Sequence, residues 1–140
     1  MRFRLLPFVM LAAIAIGGAF CAAAGDKKVD KRVFELRIYH VNPGKMSALH
    51  ERFRDRTNKL LEKHGMTLVG FWTPTEPKEA EATLYYLVAH PSQEAAQKSW
   101  DAFRADPDWK AAKAASEKGG VLVAKVDQIF MAPTDYSAMK

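Results

Sequence analysis

The chain has 140 residues, of which 49% are apolar and 26% charged, with a formal net charge of +5 and one cysteine. That is room for a single domain around one core, and it excludes a multi-domain enzyme, a disordered chain, a disulfide scaffold and a polytopic membrane protein. The basic residues are spread along the chain instead of being gathered on one stretch, which is not the pattern of a nucleic-acid binder.

Residues 1–24 read as a secretory signal peptide. Arg2 and Arg4 open the chain, Leu5 to Ala24 carries no charge, and Ala22-Ala23-Ala24 supplies a small-residue cleavage site before Gly25. The same stretch is long enough for an uncleaved anchor, although Pro7 and Gly17-Gly18 weaken a permanent span. Cys21 offers lipidation as a third route, with Phe20 standing where a small residue is wanted. Cleavage after Ala24 would send the chain to the periplasm or outside the cell. It would also remove the cysteine, and with it disulfides, thiol catalysis and thiolate metal sites.

Residues 25–32 form a polar linker, and one domain is expected over 33–140. Residues 33–41 (VFELRIYHV) alternate as a strand, with Phe34, Leu36 and Ile38 on one face and Glu35, Arg37 and Tyr39 on the other. Asn42-Pro43-Gly44 is a turn. From Lys45 the apolar residues Met46, Leu49, Phe53, Leu60 and Leu61 recur at helical spacing up to His64, and Gly65 follows where a helix ends in positive φ. Residues 66–73 form a second strand, 74–81 a polar loop with two prolines, and 82–90 a third strand. Ser92 caps a helix with Ala95, Ala96, Trp100 and Phe103 inward. Asp106-Pro107 starts another, anchored by Trp109 and ended by Gly119-Gly120. Residues 121–132 make the last strand.

The order β-α-β-β-α-(α)-β predicts an α+β, ferredoxin-like βαββαβ protomer: a four-stranded antiparallel sheet with helices on one face. LVGFW and LYYLVA are apolar on both alternating faces, whereas a sheet with one open side should be polar there. The expected cover is a second copy, packed sheet to sheet as a homodimer. The rival is a monomer with a large exposed apolar patch.

The blocks FELRIYHVNPGK, HGMTLVGFW, LYYLVAH, WDAFRADPDW and PTDYSAM resemble, in that order, the NIPSNAP family of the dimeric α/β-barrel superfamily. The resemblance runs from about Val33 to Met139 and implies the same protomer and dimer. It implies no reaction, since related barrels include oxygenases, haem enzymes and plain binders. The PTEPKEAE loop departs from the family's shorter connection.

Glu35 and Arg37 share a strand face, where Arg could hold a carboxylate and Glu take a proton, or the two could form a structural charge pair. His64, in the last helical turn, is either an acid or base lining a pocket or a plain helix-end residue on the inner stripe. It could also serve as an axial haem ligand, though no cofactor is required by the sequence. Tyr39, Trp72 and Tyr85 are the expected ligand-binding residues, able to wall a cavity for a flat apolar molecule. His40, His50, His64 and His90 show no metal-binding spacing; His50 reads as solvated and His90 as a strand boundary. No phosphate loop or nucleophile elbow occurs. The expected function is binding of a small apolar or aromatic ligand or of a protein partner. A cofactor-free or haem-linked monooxygenase and a purely structural dimer module are the alternatives.

Overall fold

Alternation in the first strand divides the molecule into two faces. In the computed structural model, which describes residues 32–140, β1 (Val33–Val41) is central: it pairs antiparallel with β3 (Thr83–His90) on one side and β4 (Val123–Met131) on the other. β2 (Thr67–Trp72) adds antiparallel to the outer edge of β3, giving the order β2-β3-β1-β4. The expected signal peptide and nearly all of the 25–32 linker lie outside the described residues. Among those described, no helix is long and apolar enough to cross a membrane.

The helices cover one face of the sheet. α1 (Met46–Arg52) runs through a π-helical turn (Phe53–Thr57) into α2 (Asn58–Lys63), so the expected single helix is continuous but wider at its centre. Gly65, at φ +80°, ends it in the conformation that only glycine adopts cheaply. α3 (Pro77–Ala80) is one turn inside the stretch expected to be loop, started by Pro77 at its first position, where a missing N–H costs nothing. α4 (Gln93–Ala105) is capped by Ser92, whose Oγ accepts the Ala95 N–H at 3.1 Å. α5 (Pro107–Ser116) is capped by Asp106, whose Oδ1 accepts the Asp108 N–H at 2.8 Å.

One apolar cluster lies between these layers, built from Met46, Leu49, Phe53, Leu61, Tyr86, Trp100 and Phe103 among others. Burial of such side chains is worth about 1.5–3 kcal/mol each relative to exposure, which is what orders the short helices over the sheet.

A bulge between Leu68 and Gly70 changes the parity of β2. Leu68 and Phe71 therefore both pack against the core, while Gly70 and Trp72 pair with Leu87 and Tyr85, which alternate to the opposite face. That opposite face carries no helix. Leu36, Ile38, Tyr85, Leu87 and Ile129 follow one another across it in register, with Ile129 50% and Trp72 52% exposed.

Candidate functional site

The parity of β1 turns Glu35, Arg37 and Tyr39 toward the helices, and β3 contributes Tyr86, Val88 and His90 to the same side. Glu35 is completely buried there and is the hub of a buried polar network. Its Oε1 accepts from Arg37 Nη1 at 2.8 Å; its Oε2 accepts the Trp100 indole N–H at 2.6 Å and lies 3.0 Å from His90 Nε2. The Arg37 guanidinium stacks over the Trp100 ring at 4.1 Å and reaches Gln128 Oε1 at 3.3 Å. Tyr86 donates its hydroxyl hydrogen to the Tyr39 oxygen at 2.9 Å.

Burial pushes the Glu35 carboxyl up, but the hydrogen bonds from His90, Trp100 and Arg37 outweigh that push and hold it below its ordinary value. Burial likewise pushes Arg37 down, and Tyr86, Tyr39 and Glu35 more than offset this. Tyr86 is held well above its ordinary value, first by burial. The result is a carboxylate with both oxygens occupied and closed off from solvent. Its remaining unsatisfied atoms, His90 Nδ1 and Arg37 Nε, are also buried.

His64 is placed elsewhere. Its Nε2 sits 2.7 Å from Asp106 Oδ2, the same oxygen that accepts from Lys63 Nζ at 2.9 Å. Lys63 and then His64 hold the Asp106 carboxyl far below the ordinary aspartate value. Asp106 thus ties the end of α2 to the corner between α4 and α5. With Nε2 held this way, His64 does not fit the role of an axial haem ligand. Among the described residues no cluster of three His, Cys, Asp or Glu is arranged to hold a metal ion.

The three expected ligand-binding residues do not converge. Tyr39 lies under the helices, ring to ring with Tyr86 at 5.1 Å. Tyr85 faces the bare side of the sheet, paired with Trp72, whose ring folds back over Gly70. A groove of about 280 Å³ opens instead between the π-helical turn and β2–β3, with Trp72 and Thr73 at its rim. Its floor is apolar: Phe71 stacks on Tyr86 at 5.3 Å, and Phe53 stands edge-on to both at 5.4 Å, beside Leu84.

His50, Arg54 and Asn58 line the same groove. Four α-helical residues overrun one turn by about 40°. The π-helical turn between Arg52 and Asn58 takes up that drift and keeps the three side chains in one column. Asn58 Oδ1 is buried and has no hydrogen-bond partner. Such an acceptor costs stability unless something bonds it, as do the other buried, unpartnered atoms Arg37 Nε, Arg52 Nε and His90 Nδ1.

Two features here were not read from the sequence. His90 continues the inward alternation of Leu84, Tyr86 and Val88, a signal present in the strand but overridden by Pro91. The i, i+4, i+8 spacing of His50, Arg54 and Asn58 was equally visible, but the π-helical turn that aligns them has no sequence signature.

The NIPSNAP family model matches residues 34–138. No curated protein of established function matches the chain. Among solved structures, a NIPSNAP family protein of unknown function from Agrobacterium tumefaciens superposes with a TM-score of 0.68 at 18% identity, covering 79% of this chain and 96% of that one. An uncharacterized NIPSNAP domain protein from Burkholderia xenovorans gives 0.63 at 17% identity, over 75% and 97%. SnoaB, a cofactor-independent oxygenase from Streptomyces nogalater, gives 0.53 at 11% identity, over 79% and 99%. At these identities the likenesses establish the ferredoxin-like fold alone.

Proposed function

The chain belongs to the NIPSNAP family, and from that premise we propose that it is an exported, homodimeric binding protein that takes a flat apolar or aromatic molecule in the groove of each protomer. The observation that carries the reading is the buried, partnerless Asn58 Oδ1 beside an aromatic floor. A volume of about 280 Å³ sits at the small end of ligand pockets and suits one or two rings. Export rests on the composition of residues 1–24. The dimer rests on the bare, apolar face of the sheet, where Trp72 and Ile129 are half exposed. A second copy covers that face with the same residues, as a two-fold interface requires.

Binding is favoured over oxygenation because the titratable groups of the inner face are occupied by one another. Glu35 and His90 are fully buried and mutually bonded, leaving neither free to move a substrate proton. A purely structural module would have the groove filled.

The test uses N-phenyl-1-naphthylamine, an uncharged probe that brightens in apolar surroundings. It should bind once per protomer, and Thr73→Trp, which places a large ring at the rim, should abolish the signal while leaving oligomeric state and melting temperature unchanged. A probe that fails to bind, or binds both proteins equally, overturns the reading.

A further inference from the structure

The groove is charged on one side only. His50, Arg54 and Asn58 line it, and none of its lining residues is a carboxylate. The longer groove between the π-helical turn and α5 is different: there Asp55 and Asp108 stand among Arg56 and Lys59, and the charges balance locally. Elsewhere cations are answered in the same way, as buried Arg52 is by Glu117 and exposed Lys125 by Asp127. Among the described residues, the side chains of His50 and Arg54 have no hydrogen-bond or ion-pair partner. A cationic, donor-rich wall next to an apolar floor, with one buried acceptor, is a pattern complementary to a particular kind of molecule.

We infer that the ligand of this groove is an aromatic carboxylate bearing a second polar group that donates a hydrogen bond. This rests on the binding function proposed above. The ring plane lies on Phe71 and Phe53, whose faces and edges accept flat π-systems. The carboxylate meets Arg54, whose planar guanidinium matches it with two parallel N–H donors, and His50 stands one turn away on the same column. An O–H or N–H at the other end of the ring donates to Asn58 Oδ1 once the side chain turns that buried, unpartnered oxygen into the groove. An uncharged hydrocarbon would fill the floor but leave that oxygen unsatisfied.

The discriminating experiment titrates the full chain by calorimetry with 6-hydroxy-2-naphthoate, its methyl ester and 2-naphthoate. The hydroxy acid should bind about tenfold more tightly than the ester, which lacks the charge. It should also bind several-fold more tightly than 2-naphthoate, which lacks the donor. Arg54→Gln, at an exposed position, should bring acid and ester to equal affinity, and Asn58→Ala should do the same for the hydroxylated and plain acids. Equal binding of acid and ester by the parent chain overturns the inference while leaving the binding function standing. So does an acid preference that survives Arg54→Gln. Failure of every probe to bind removes both.

Discussion

Two polar clusters lie on the helix side of one sheet, and they differ in whether their charged groups are paired. Around Glu35 the donors of Arg37, His90 and Trp100 meet both carboxylate oxygens, and the group is shut away from water. Around Asn58 an acceptor is buried with no donor, and among the described residues the neighbouring side chains of His50 and Arg54 have no ion-pair or hydrogen-bond partner. Burial alone therefore does not mark a site. A network of paired charges holds the strands and α4 in place, while an unpaired guanidinium beside an apolar groove can still pair with something that is not part of the protein.

The sharpest way to break that contrast is to open the paired network. Glu35→Ala strands the buried donors of His90 and Trp100 and removes the carboxylate paired with Arg37, and should cost about 3–5 kcal/mol of stability, measured by urea unfolding. Arg54→Gln should stay within about 0.5 kcal/mol of the parent, as surface changes do. Similar losses in the two variants would mean that the clusters do not differ in kind.

The bare face of the sheet comes next. Ile129, half exposed there, can be replaced by Asp without disturbing the core, since its side chain is on the side away from the helices. Ile129→Asp should weaken self-association by about a hundredfold, which corresponds to about 2.7 kcal/mol, read by sedimentation. An unchanged dimer, or a parent that is already monomeric, would leave the apolar face without its proposed cover.

Acid should weaken the scaffold before the groove. Glu35 and Asp106 are both held below their ordinary values of 4.5 and 3.8, so their contribution is fully present above those values. It is lost as pH falls through the lower folded-state values, because the unfolded chain takes up protons first. Stability should therefore fall steadily below about pH 4.5. Glu35→Gln should flatten that fall, Asp106→Asn should flatten its lower part, and a profile unchanged by both would contradict the hydrogen-bond geometry.

A small effect is expected at Gly70, where an added Cβ would come within 2.6 Å of the Trp72 ring. The ring is half exposed and can swing aside, so Gly70→Ala should cost under about 1 kcal/mol while shifting tryptophan emission.

The sequence made the fold legible through period. The alternation of residues 33–41, the helical spacing from Met46 to Leu61, Ser92 and Asp106 as caps, and Gly65 as a terminator each carry a local physical signal that the structure repeats. Glu35 and Arg37 were legible as a pair for the same reason. Their third and fourth partners were not, because a hydrogen bond between β1 and α4 depends on how the layers pack. Tyr85 pairs with Ile38 and so faces away from Tyr39, and Trp72 joins it there because a single bulged residue in β2 reverses that strand's parity. The groove itself depends on a π-helical turn, and a run such as FRDRT has no composition that separates π from α.

Native mass spectrometry of the full chain, recovered from its export-competent source without denaturation, tests the proposed pairing of dimer and groove most directly. The expected species is two chains carrying added small-molecule mass, lost when Arg54→Gln is expressed in the same way. A clean single-chain mass at micromolar concentration, with nothing bound, would contradict both the covered sheet and the occupied groove.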